Sequence, residues 1–126
     1  HSSWSELLAR HIPQPAPPCV PNAGPCGLQR QGPCWWLSAG PDIPRNIVLL
    51  SGSGAYALHK AHACGADTLI TGDLREHSPG EASLLGMNLL AWGHHRSERP
   101  GMEALSRHLS EHCGLTCSFL DVPSEL

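Results

Sequence analysis

Charge is scarce in this chain of 126 residues: Asp, Glu, Lys and Arg together make up 15%, against about a quarter in ordinary globular proteins. No cluster of Lys or Arg occurs, and the formal net charge is -3. Nucleic-acid binding draws most of its strength from basic side chains set against phosphates, so that class of partner is not expected. Long apolar runs are also missing. Nothing approaches the roughly 20 residues of a membrane span, and the first residues lack the basic flank and apolar core of a signal peptide. The expectation is a cytoplasmic protein without membrane contact. A Walker phosphate loop is excluded, since no Gly-Lys-Ser/Thr follows a glycine turn.

The shortfall is filled by 13 Gly, 12 Pro and 9 His, so part of the chain is loop. Six cysteines are present: Cys19, Cys26, Cys34, Cys64, Cys113 and Cys117. The intervals among the first three do not fit the tight C-x2-C knuckles of structural zinc. They read as free thiols rather than as a disulfide framework. Length allows one domain with a modest core.

Residues 1–42 read as a short helix, capped by Ser2 or Ser3 and carrying Trp4, Leu7 and Leu8 on one face, followed by a connector rich in Pro, Gly and Cys. Cys34–Leu37 reads as a short strand beside it. From Ile43 to residue 126 the pattern becomes an organised α/β unit. Asn46–Leu50 is a continuous apolar run, as expected of a strand covered on both faces, and Ser51-Gly52-Ser53-Gly54 follows at once. A helix over about 55–64 turns Ala55, Leu58 and Ala61 inward. Asp67–Ile70 is a second strand ending in Thr71-Gly72-Asp73. Ser78-Pro79-Gly80-Glu81 has the form of a capping box and opens a helix stopped by Gly86. Met87–Trp92 is a third strand. A helix over about 97–112 buries Met102, Leu105 and Leu109, and Thr116–Val122 is the last strand. The order β-α-β-α-β-α-β predicts an α/β fold with a mostly parallel sheet and crossover helices.

In open α/β sheets, ligands bind beyond the carboxyl ends of strands. Three such ends carry glycine or polar residues here: 51–54, 71–73 and 93–98. The last places His94, His95 and Glu98 at the loop where a strand runs into a helix. Imidazole and carboxylate suit Zn, Mn, Fe or Ni better than an all-oxygen calcium cage. Ser51, Gly52, Ser53 and Gly54 either present backbone N–H groups to a phosphate or form a tight turn that needs small residues. Asp73 either orients a ligand or caps its turn. His77 reads as a solvent-exposed loop histidine. His95 reads as a neighbour of the ligands rather than one of them.

Three segments carry a resemblance: Ser51-Gly52-Ser53-Gly54; Gly65-Ala66-Asp67-Thr68-Leu69-Ile70-Thr71-Gly72-Asp73; and Gly93-His94-His95-Arg96-Ser97-Glu98. With Ser118-Phe119-Leu120-Asp121-Val122-Pro123, they resemble the dinuclear-metal proteins named GTP cyclohydrolase I type II homologues, in order and spacing over residues 43–123. The resemblance implies an α/β fold, a toroidal homo-hexamer and two divalent metal ions per subunit, with His94 and Glu98 as ligands. For His77 it adds the alternative of proton transfer at the same cleft. In that family an adjacent His-His pair and an Asp from an N-terminal half complete the site. No such half is found here, so the chain looks like a C-terminal portion with part of the metal site. A complete site would activate water for attack on a small-molecule substrate, as a metal-dependent hydrolase or cyclohydrolase does. The alternatives are a non-catalytic metal-binding or scaffolding module acting through its oligomer, and an incomplete fragment.

Overall fold

The computed structural model describes residues 27–31 and 34–122. The helix expected around Trp4 and Leu8, most of the Pro-rich connector, Cys19, Cys26 and Pro123 lie outside the described residues. A hairpin opens the sheet: β1 (Gln29–Gln31) runs antiparallel to β2 (Cys34–Leu37), Gln29 opposite Trp36. Then come β3 (Ile47–Leu50), a 3-10 turn (Gly54–Ala57) leading into α1 (Leu58–Ala63), and β4 (Thr68–Thr71). α2 (Ser78–Leu85), β5 (Asn88–Ala91) and α3 (His94–Cys113) complete the order. The strands lie β1-β2-β5-β4-β3, parallel across β3, β4 and β5 and antiparallel at β2. This is the expected mixed α/β fold with crossover helices, and its sheet takes in residues on both sides of position 43.

Register decides what each face carries, because residues opposite one another point the same way. Leu37, Leu89, Leu69 and Val48 form one row across β2, β5, β4 and β3. Leu58 and Ala61 of α1 and Ala82 of α2 pack on that face, with Met87 and Ala66, in a single core. Ala55, Leu58 and Ala61 are buried as their spacing predicts. The next row, Trp36, Leu90, Ile70 and Leu49, belongs to the opposite face.

The structure corrects four local expectations. β3 is an edge strand rather than one covered on both faces, and Leu49 is 68% exposed. Its continuous apolar run reflects one face in the core and one left open. Residues 116–122 form no strand. They run beside α3 instead, where Asp121 accepts hydrogen bonds from His95 Nε2 (2.8 Å) and Arg99 (2.7 Å). Ser78 does not cap α2: it lies inside the helix, and its hydroxyl accepts from the Arg75 amide at 3.1 Å. Finally, α3 starts three residues before the expected Ser97, with Pro100 inside it, and none of its residues is buried. Met102 and Leu105, expected in the core, are 55% and 48% exposed.

A buried amide stitches the far end of the sheet. Asn88 Oδ1 accepts from the Gly40 amide (2.9 Å), and Asn88 Nδ2 donates to the Pro41 carbonyl (2.9 Å). Gly40 is required there, because a Cβ would stand 2.8 Å from the Asn88 nitrogen. No described helix is long and apolar enough to cross a membrane.

Candidate functional site

The three polar strand ends meet. The Gly52 carbonyl accepts from the amides of Gly72 (2.9 Å) and Asp73 (3.2 Å), and the Gly72 carbonyl accepts from Gly93 (2.7 Å). The Gly52 amide donates to Ser97 Oγ (2.8 Å), whose own hydroxyl donates back to the His94 carbonyl (2.8 Å). The Gly54 amide donates to Thr71 Oγ1 at 2.9 Å. Packing here leaves no room for a side chain at Gly54, where a Cβ would lie 2.5 Å from Leu50 Cβ, or at Gly72. A Cβ on Gly72 would lie 2.5 Å from Ser97 Oγ and 2.6 Å from the Gly52 carbonyl oxygen. Gly52 has φ +62° and a Cβ there would lie 2.7 Å from Glu98 Oε1.

On this frame sits a short polar chain. Ser53 Oγ donates to Asp73 Oδ2 (3.1 Å), and His94 Nδ1 donates to the same oxygen (2.8 Å). On the other side of the ring, His94 Nε2 is 3.3 Å from Glu98 Oε1. Burial pushes the Asp73 carboxyl up, but the hydrogen bonds from His94 and Ser53 outweigh it and hold the group below its ordinary value. The bond to Asp73 is the main cause raising His94 above its ordinary value, and the charge on Glu98 adds to it. The second Asp73 oxygen, Oδ1, is buried with no hydrogen-bond partner among the described residues.

The chemistry of the ring follows from this geometry. With its Nδ1 proton committed to Asp73, a neutral His94 holds Nε2 as an acceptor 3.3 Å from a carboxylate oxygen, and two acceptors at that distance repel. A proton or a cation between them removes the conflict. For bonds of about 2.0–2.2 Å, adjacent ligand atoms around a tetrahedral ion stand roughly 3.3 Å apart, so the pair fits one edge of a coordination shell. A carboxylate on the far nitrogen is the usual way a metal-binding histidine is oriented. The fit stops at that edge: among the described residues no three His, Cys, Asp or Glu side chains converge to hold an ion.

The remaining predicted residues are distributed as follows. Ser51 is exposed. The Gly52 and Gly54 amides are spent inside the protein, on Ser97 and Thr71. His95 bonds to Asp121 rather than to the chain of Asp73, His94 and Glu98. His77 is exposed at the start of α2, and its carbonyl accepts from the Glu81 amide. It does not line the adjoining cleft, a space of about 460 Å³ beside Asp73 and His94. Cys34 is a buried free thiol, raised by burial against the opposing charge of Arg96. Arg30, Trp35 and Arg75 line the cleft and escape a reading of the sequence. Arg30 and Trp35 belong to or adjoin a stretch with no apolar period, and nothing marks Arg75 out from its neighbours.

Fold and site together define an α/β protein with a polar, carboxylate-oriented histidine at the carboxyl ends of its parallel strands. Residues 36–124 match the family model described as Duf34/NIF3 (NGG1p interacting factor 3). The chain belongs to that family. It is 34% identical over 92 residues to the GTP cyclohydrolase 1 type 2 homolog of Escherichia coli K12, covering 73% of this chain and 37% of that protein. The Archaeoglobus fulgidus protein of the same name is 32% identical over 98 residues, covering 78% of this chain and 40% of its own. A solved structure from Thermus thermophilus superposes with a TM-score of 0.64 at 34% identity, covering 72% of this chain and 36% of that one. The chain thus spans about two-fifths of the length of the curated relatives it matches, 37% and 40%.

Proposed function

We propose that this chain carries half of a metal site, with His94 Nε2 and Glu98 Oε1 as the donors and Asp73 as the residue that orients His94. In this reading it acts as a metal-dependent hydrolase of the cyclohydrolase-like kind on a small molecule, once further donors complete the coordination. A bound divalent ion, Zn, Mn, Fe or Ni, would supply Lewis acidity and lower the pKa of a water molecule. The protein's own part is to hold the ring. Ser53 and His94 share one oxygen of Asp73, and Ser97 ties the first turn of α3 to the Gly52 loop. The observation that carries the reading is the opposed Nε2 and Oε1 pair at 3.3 Å with Asp73 on the other ring nitrogen.

The donors beyond this pair come from outside the described residues. His94, Glu98, Met102, Leu105 and Leu109 recur at intervals of four, four, three and four, which puts them on one stripe of α3. The stripe therefore begins at the half-site and continues as apolar surface, with Met102 and Leu105 exposed. A surface that covered Met102 and Leu105 would also reach Glu98. This supports an assembled form, the hexamer implied by resemblance among them. The same stripe favours the second reading, a metal-binding scaffold without catalysis.

Elemental mass spectrometry on untagged protein, followed by Zn titration against a colorimetric chelator, tests the assignment. Stoichiometric metal that is lost in both His94→Ala and Glu98→Ala, with circular dichroism unchanged, is the expected result. Equal metal content in wild type and both variants would remove the assignment.

A further inference from the structure

The cleft beside the half-site has its own chemistry. At about 460 Å³ it falls within the roughly 300–1,000 Å³ of small-molecule pockets. Gly72 and Gly93 are part of its lining. Leu28, Leu74, Pro79 and Trp35 supply apolar walls. Arg30 lies over the Trp35 ring, its guanidinium carbon 4.9 Å from the centroid. A guanidinium over an aromatic face is attracted by the ring, and its fork of N–H donors matches the geometry of a planar anion. Arg75 brings a second cation to the lining. Of the acids there, Asp73 is already engaged by His94 and Ser53, which leaves Glu76 as the charge an anionic ligand must avoid.

We propose that this cleft binds a small molecule built as an anionic group on a flat apolar ring, with Arg30 and Arg75 selecting the anion and Trp35, Leu74 and Pro79 selecting the ring. The proposal rests on the half-site reading only in placing the reacting atom near His94; recognition by the cleft stands without any ion. The anion is a phosphate or a carboxylate, the two groups whose geometry matches a guanidinium fork.

Titration calorimetry in EDTA, with four probes, tests it: 1-naphthyl phosphate, 1-naphthoate, 1-naphthol and inorganic phosphate. At least one of the two ring-bearing anions should bind ten times more tightly than both naphthol and inorganic phosphate, and the stronger of them names the anion. Arg75→Gln and Arg30→Gln should each weaken that ligand about tenfold, the loss typical of one charge-assisted hydrogen bond, and leave naphthol unchanged. Trp35→Leu should weaken it, and Trp35→Phe should restore part of the loss. Thermal melting of each variant separates a lost contact from a lost fold. Naphthol binding as tightly as both anions, or full affinity in both arginine variants, would overturn the proposal. Because EDTA removes any ion, these results are independent of the zinc titration: either reading can fail while the other stands.

Discussion

Replacing Gly52 by alanine separates the half-site from the fold that carries it. Gly52 has φ +62°, and an added Cβ would lie 2.7 Å from Glu98 Oε1 and 3.4 Å from His94 Nε2. A left-handed conformation costs an L-residue about 1–2 kcal/mol relative to glycine. The steric part is cheaper, because the offending atom is the tip of a flexible side chain that is about half exposed. Ordinary contact begins near 3.4 Å, so the carboxylate must withdraw by about 0.7 Å or rotate away, ending the opposition of Nε2 and Oε1. Global stability should therefore fall by only about 1–2 kcal/mol, a drop in Tm of roughly 3–10 °C for a domain of this size. Zn affinity should fall far more, about a hundredfold, because one of two donors leaves its position. Urea unfolding gives the first quantity and chelator competition the second. A variant that binds Zn like wild type would refute the placement of Glu98 as a donor. A variant that does not fold would refute the argument that its side chain yields.

Three further substitutions test the frame. Asn88→Leu keeps the volume but leaves the Gly40 amide and Pro41 carbonyl without the partners they have at 2.9 Å. Urea unfolding should show a loss of about 2–4 kcal/mol, and a loss below about 0.5 kcal/mol would mean the turn finds other partners. Asp67 is raised by burial but lowered more by hydrogen bonds from the Arg45 and Asn46 amides and the Thr68 hydroxyl, so its folded pKa lies below its unfolded one. Its contribution is complete above the unfolded value near 3.9 and is lost as pH falls through the folded value. The gap in urea midpoint between wild type and Asp67→Asn should then be constant above about pH 5 and close towards pH 2; a gap independent of pH would contradict this. Asp121→Asn should speed proteolysis within residues 115–122 while leaving Tm unchanged, since it loosens only the exposed contacts to His95 and Arg99.

Legibility in the sequence follows how far each signal is local. The runs at 47–50, 68–71 and 88–91 are short, apolar and closed by glycine or polar turns, so strand and turn could both be read directly. Their convergence followed from the rule for parallel sheets, which brings carboxyl ends to one edge. β1 was not legible because Gln29, Arg30 and Gln31 have no apolar alternation; their place comes from backbone pairing with Trp36, Trp35 and Cys34. The start of α3 was misplaced because Pro100 resembles a first-turn proline, whereas the chain enters the helix at His94 through Gly93 at φ +101°. Thr116–Val122 has the β-branched and aromatic composition of a strand, and composition cannot tell whether an edge is free to accept it.

The early start of α3 changes what His94 and Glu98 can do. Had the helix begun at Ser97, His94 would sit in a loop and its distance to Glu98 would vary with that loop. Inside the helix the two are one turn apart on the same face, and their separation is set by helix geometry rather than by loop conformation. Ser97, one turn from His94 on the side that meets the Gly52 loop, accepts from the Gly52 amide, which fixes the rotation of the helix about its axis. Asp73 then sets the plane of the His94 ring. Two donors on a helix, one bond setting its rotation and one setting its ring are enough to preserve this edge of the site while the rest of α3 remains exposed. On the half-site reading proposed above, completion of the site depends on what covers the stripe below Glu98, and stability of the sheet does not.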